Sequence, residues 1–309
     1  MNRIGERVYG PMKPSIMPPG LSAAKAFRWC TSDGRHYQIA FLASFLCYGI
    51  FRLQWDAEVG RYLTIAATCL VTQSLFIRVH GLDWRTLKSA AITTLGLCLL
   101  FKAGSIGTLM LGAFIAIASK FILRVNGKHM FNPANVGIAA AMLLTGDAWV
   151  SPGQWGSGPA LVFLVGAAGM MVVLRVGRID TSAAFLLAFA GLDFCRTVLY
   201  LGWEPEVWLH KLTSGSLLLF TFFMITDPVT TPSAPRARIA WSMLVGALAF
   251  MLGWKYFMNA SPVWALFFLS PLTPLIDRLW KGERFSWIPQ QHQLSMYGPA
   301  IVGPNQQRP

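Results

Sequence analysis

Ten apolar blocks, most of them roughly 16–22 residues long, run through this sequence, and that length is what a helix needs to cross the hydrocarbon of a bilayer. They lie near residues 38–54, 61–79, 87–102, 104–124, 133–146, 159–175, 180–200, 212–226, 237–257 and 260–279. No stretch outside them is long enough to bury a core, so a large soluble domain is excluded. Charged residues make up 13% of the 309, about half the usual soluble share. The sequence therefore predicts an all-α integral membrane protein of about ten transmembrane helices. A cytoplasmic arm occupies residues 1–37, the membrane domain 38–279 and a polar tail 280–309.

The net charge of +13 is a matter of topology rather than of nucleic-acid binding. With the N-terminus in the cytoplasm, the inner segments hold 20 Lys and Arg and the outer segments five: Arg52, Arg61, Lys102, Lys211 and Lys255. This asymmetry predicts that both termini are cytoplasmic, and it leaves room for attraction to anionic membrane lipid or an acidic partner. The first 20 residues are basic and proline-containing, unlike a cleavable signal peptide.

Several chemistries are not supported. The five cysteines (Cys30, Cys47, Cys69, Cys98 and Cys195) form no CxxC or Cys-His spacing, which argues against zinc. His36, His80, His129, His210 and His292 all fall near loops or tails, not mid-span where haem would want axial ligands. No phosphate-loop or dinucleotide fingerprint is present.

Two polar interruptions stand out against this apolar background. The first is Gly127–Gly137 (GKHMFNPANVG), the second Leu212–Pro235 (LTSGSLLLFTFFMITDPVTTPSAP). Helix breakers and ionisable groups at membrane depth are costly, so such breaks mark built cavities as often as anchors. Ser214, Gly215 and Ser216 allow a close approach at a helix start and suit a phosphate; they also suit an N-cap with a packing glycine. Asp227, before Pro228, has three roles open to it: capping amides, pairing with Arg236 or Arg238, or binding a cofactor's polar ring. Thr230 and Thr231 follow on the same rim. Lys128, His129, Asn132 and Asn135 fit a pocket for a heterocycle or phosphate, or an ordinary basic loop with an Asn-Pro turn.

Elsewhere, Asp193 and Arg196 are spaced to pair on one helix face. An echo links Gly107–Ile117 to Gly215–Ile225, as two pseudo-repeat halves with broken helices would produce.

The stretches GKHMFNPANVG and SGSLLLFTFFMITDPVTTP resemble the two signature stretches of the NqrB/RnfD family of membrane redox-complex subunits. The resemblance covers about residues 38–280 and is strongest in these motifs. It implies a bacterial cytoplasmic-membrane subunit that carries electrons through a flavin and meets redox-partner subunits at its arms or outer loops. Family members carry FMN on a threonine of a Ser-Gly-Ala-Thr motif. The aligned residues here are Ser214, Gly215, Ser216 and Leu217, and leucine has no hydroxyl to esterify. The implied cofactor is thus non-covalent FMN or riboflavin. Ser214, Gly215 and Ser216 would lie near its phosphate or ribityl chain. Asp227, Thr230 and Thr231 would shape the inner rim, and Lys128, His129, Asn132 and Asn135 would contact the ring. Two alternatives share the fold: a small-solute channel, and a structural subunit without flavin that docks a larger assembly.

Overall fold

All ten apolar blocks are helical in the computed structural model, which describes residues 34–55, 58–151 and 159–285, with backbone only for 159–164. Most of the N-terminal arm and C-terminal tail, with Cys30, His292 and Trp287, lies outside the described residues, as does Trp155. The first five helices are α1 (Gly34–Arg52), α2 (Val59–His80), α3 (Leu87–Leu100), α4 (Ile106–Ile122) and α5 (Pro133–Thr145). They are followed by α6 (Pro159–Val176), α7 (Ile179–Phe194), the short connector α8 (Pro205–Leu212) and α9 (Gly215–Leu219). The last are α10 (Pro235–Lys255), α11 (Ser261–Leu269) and α12 (Thr273–Leu279). Helix α7 runs on as a π-helix through Cys195–Tyr200, and α9 through Phe220–Met224.

The burial pattern is that of a membrane protein. On α2 the polar residues Thr72 and Gln73 are buried, while Leu63, Val71, Leu75 and Val79 face outward. An outward stripe of this kind has no soluble counterpart without a partner, but lipid accepts it. Three helical runs are individually long and apolar enough to cross a bilayer: Val59–His80, Ile179–Tyr200 and Pro235–Lys255. A fourth candidate is the pair Pro205–Leu212 and Gly215–Met224, bent by 53°. Ile106–Ile122, Pro133–Thr145 and Val165–Val176 are apolar but shorter.

Five helices on each side follow one neighbour order. In the first set α1 packs on α3, α2 on α3 and α4, and α4 on α5. In the second α6 packs on α9, α7 on α10 and the π-turn of α9, and α10 on α11. The sets meet through α1 with α6 and α5 with α11. In this order α4 corresponds to α10, so the echo between Gly107–Ile117 and Gly215–Ile225 joins helices that are not equivalent.

Small residues set the tightest contacts. A methyl group on Gly137 of α5 would sit 2.5 Å from the Gly112 carbonyl oxygen of α4, and one on Gly246 of α10 would sit 2.7 Å from the Phe185 carbonyl oxygen of α7. Two short antiparallel ribbons close the first set. β1 (Phe101–Ala103) pairs with β4 (Ala148–Val150), and β2 (Arg124–Val125) with β3 (Lys128–His129). The second ribbon turns through Asn126 (φ 52°) and Gly127 (φ 76°), both left-handed, as a tight Asn-Gly hairpin requires.

Candidate functional site

The Asn126-Gly127 turn reverses the chain, and Asn132 then starts α5. Its side-chain oxygen accepts the Asn135 amide at 3.1 Å, and Pro133 fills the first helical position. The same cap leaves the Asn132 NH2 group free to point across the bundle. It donates to the Met224 carbonyl at 3.2 Å and to Asp227 Oδ2 at 3.3 Å. The π-helix explains why that carbonyl is available, since its i→i+5 bonding shifts partners at the end of α9.

Asp227 builds the second break into a compact turn. Its Oδ1 accepts the Val229 amide at 3.1 Å, and its carbonyl accepts the amides of Thr230 and Thr231 at 3.1 and 3.2 Å. Neither Arg236 nor Arg238 pairs with it. Arg238 instead grips Asp180 in a fork, with Nε at 3.0 Å from Oδ2. Arg238 lies in the first turn of α10, which packs along α7 and so brings the guanidinium to Asp180 at the start of α7.

The two breaks form part of the wall of a partly open cavity of about 320 Å³. Arg35, Gln38 and Leu42 of α1 line it, with Gln73 of α2 and Thr86, Ser89 and Thr93 at the start of α3. Lys120 and Phe121 approach from α4, Arg124 from β2, His129 and Asn132 from the first break, and Leu219, Phe223, Met224 and Asp227 from the second. Three buried polar atoms on these walls have no hydrogen-bond partner: Gln73 Oε1, Lys120 Nζ and His129 Nδ1. A buried polar atom without a partner costs about 1–3 kcal/mol, and more when charged.

The remaining site residues divide between different places. Lys128 points away from the cavity into an adjoining hollow of about 270 Å³. It bonds Asp277 Oδ2 at 2.7 Å and the Thr231 carbonyl, while Ser233 donates its amide to Asp277 Oδ1 at 2.8 Å. Lys128 thus ties the first break to α12 and to the chain after the second. Asn135, fully buried, donates to the Val263 carbonyl of α11 at 2.8 Å and does not line the cavity. Thr230 and Thr231 are buried behind the Asp227 turn. Ser214, Gly215 and Ser216 sit at the opposite end of α9, roughly 15 Å along the helix axis; the two hydroxyls bond each other at 2.9 Å. Leu217 is buried.

Electrostatics follow from burial. Burial pushes the Asp227 carboxyl above the ordinary carboxylate range, against the Val229 amide and the cations Lys120, Lys128 and Arg178. Burial also pushes the His129 imidazole down to about 4, with Arg124 and Lys120 adding to the effect, so the ring is neutral at pH 7. Arg178 is lowered to about 10 by burial, with Arg238 nearby.

Sequence reasoning passed over Gln73 and Lys120. A lysine inside the apolar block 104–124 is a legible signal, since an ionisable residue within a span marks function by default. Gln73 carries no such signal. The pairing of Asp193 with Arg196 is also replaced: Lys211 takes Asp193 at 3.2 Å, and Arg196 stacks over Trp254 at 4.6 Å. The π-turn beginning at Cys195 alters the angular spacing that an α-helical i,i+3 pair needs.

The chain is thus a helical membrane protein whose two broken elements meet at a mostly apolar cavity with a few polar groups on its walls. A model of the NQR2, RnfD, RnfE family matches residues 142–286, a range that holds the second break but not the first. The D subunit of an ion-translocating oxidoreductase complex from Stutzerimonas stutzeri is 30% identical over 168 residues, covering 51% of this chain and 46% of that protein. The D subunit of a proton-translocating ferredoxin:NAD(+) oxidoreductase complex from Clostridium ljungdahlii is 25% identical over 227 residues, 57% of this chain and 67% of that one. The match thus spans about half the length of the Stutzerimonas relative.

Proposed function

We propose that this chain is a membrane subunit of a redox complex, in the manner of these relatives, and that its cavity holds a flavin, FMN or riboflavin, without a covalent bond. In this reading all ten helices cross a bacterial cytoplasmic membrane with both termini inside. Five crossings per set then give the second set the opposite orientation to the first, which makes the two sets an inverted repeat. Redox-partner subunits dock at the cytoplasmic arms or outer loops.

The observation that carries the reading is the bond from Asn132 to Met224 and Asp227, which joins breaks 92 residues apart around one cavity. The volume falls at the low end of small-molecule sites, and the walls combine apolar side chains with a few unpaired polar atoms. That is a fit to a flat heterocycle. A flavin bound there would supply the electron transfer, and the protein supplies position and electrostatics. Leu42, Leu219 and Phe223 keep water out, Asn132 holds the two breaks together, and Asp227 holds the turn that forms one wall. Lys128 and Asn135 act behind this wall as braces. Ser214, Gly215 and Ser216 would contact only a ligand at the far end of α9.

The test is protein extracted in mild detergent and examined by visible absorption. Wild type carries a flavin spectrum, and Asn132→Ala lowers the flavin content at least several-fold. A colourless wild type that conducts a neutral solute in liposomes would replace this reading by a channel.

A further inference from the structure

Gln73 and Lys120 face the cavity from neighbouring helices, α2 and α4, and each presents one unpaired atom. Gln73 is 1% exposed and Lys120 is 4% exposed, so bulk solvent reaches neither. The orientation of the Gln73 amide is fixed by a relay. Thr86 Oγ1 donates its proton to the Asp83 carbonyl at 2.8 Å, so it accepts from Gln73 Nε2 at 3.3 Å. The amide must therefore direct its nitrogen to Thr86, and its oxygen is the atom left over. That oxygen needs an N–H or O–H donor. Lys120 Nζ needs an acceptor, and among the described residues it enters no ion pair. The charged side chains on the walls are Arg35, Lys120 and Arg124 against Asp227, so the balance favours an electron-rich ligand edge.

We infer that Gln73 and Lys120 form a reading edge for a ring that places an N–H beside a carbonyl, and that Lys120 is the countercharge for that ring's reduced anion. This rests on the flavin reading above and deepens it. The pyrimidine edge of an isoalloxazine carries an imide N–H between two carbonyls. A quinone offers acceptors only and would leave the Gln73 oxygen unpaired, a penalty that selects against it. Two electrons and one proton convert the oxidised flavin ring to its hydroquinone anion. In the test below a chemical reductant supplies the electrons and buffer supplies the proton. Lys120 keeps its own proton and holds the negative charge that appears on the ring. Both residues are positioning groups, and their effects separate. Gln73 reads the imide proton in either redox state, whereas Lys120 favours the reduced state.

The experiment uses full-length protein in detergent micelles, stripped of flavin and titrated with riboflavin or with riboflavin methylated at the imide nitrogen. Wild type should bind the methylated ring at least tenfold more weakly than riboflavin. Gln73→Leu should bind the two alike, because the acceptor that penalises methylation is gone. Lys120→Met should weaken binding of reduced flavin relative to oxidised by tenfold or more, a shift of about 30 mV to lower potential for a two-electron couple. Lys120→Arg should restore most of that shift, which a merely structural role would not do. Wild type that binds both rings equally, or a Lys120→Met protein with bound flavin at unchanged potential, overturns the inference while leaving the flavin reading intact. Wild type that binds neither ring overturns both.

Discussion

The side-chain amide of Asn132 donates to the main-chain carbonyl of Met224 at 3.2 Å. A cap at the start of one helix thereby becomes a clamp on the end of another, and a side chain doing both jobs is hard to replace. Asn132→Ala is expected to cost about 1–3 kcal/mol, combining a lost N-cap with loss of the shorter of two bonds to the Met224 carbonyl, which keeps only the Asp227 amide at 3.4 Å. Asn132→Asp keeps the cap oxygen but loses the donor and sets a second carboxylate beside Asp227, so it should be no better. Thermal unfolding in detergent, with limited proteolysis of the 124–132 hairpin, checks both.

Lys128 and Asp277 form a partly buried pair whose side chains are 16% and 21% exposed. Removing one partner of such a pair leaves a charge with fewer hydrogen bonds than it needs. Lys128→Met and Asp277→Leu should each destabilise by about 1–3 kcal/mol. The double variant Lys128→Met, Asp277→Leu should recover part of that loss. A cycle over the four proteins measures the coupling, and simple additivity would show that the pair does not act as a brace.

The close approach of α4 and α5 depends on Gly137. With the Gly112 carbonyl oxygen 2.5 Å and the Ala116 methyl 2.7 Å from the position of an added methyl group, Gly137→Ala has no flexible neighbour to push aside. The helices must separate, at a cost of about 1–3 kcal/mol. Gly166, which has open space around the same position, is the control and should tolerate alanine. Paired melting curves decide this.

His129 gives the fold an acid limit. Its imidazole titrates near 6.5 when unfolded and at about 4 when folded. Between those values the unfolded chain binds the extra proton, so stability rises with pH across this window and falls on acidification, by up to about 3 kcal/mol. Asp227 has the opposite sign, because its raised folded value means the native chain keeps its proton longer and gains stability as pH falls. The His129→Gln variant in an Asp227→Asn background should show a flatter profile between pH 4 and 6.5 than Asp227→Asn alone. Equal slopes would mean that His129 is not buried neutral.

The helical segments were legible because apolar runs in lipid must bond their own backbone, and each run is mainly helical where the hydropathy places it, although only Val59–His80, Ile179–Tyr200 and Pro235–Lys255 are singly long and apolar enough to cross a bilayer. The two breaks were equally legible, since Asn-Gly, Asn-Pro and Asp-Pro are local chemistry. Their meeting was not, because a bond from Asn132 to Met224 depends on how two bundles pack. The fates of the charged residues were hidden for the same reason. Arg238 chose Asp180 over Asp227 once α7 and α10 lay side by side, and Lys128 chose α12 over the cavity. The π-turns at Cys195 and Phe220 defeated i,i+3 reasoning on α7 and redirected the end of α9. Ser214 and Asp227 share one stretch of sequence, yet about ten helical residues keep them at opposite ends of it.

The central claim is that the cavity between the two breaks is a cofactor site. A visible absorption spectrum of the gently extracted protein, taken with an intact-chain mass, tests it most directly. The account predicts a flavin chromophore released by denaturation, with a chain mass that shows no adduct. Colourless protein, or a flavin that stays on the denatured chain as added mass, would contradict it.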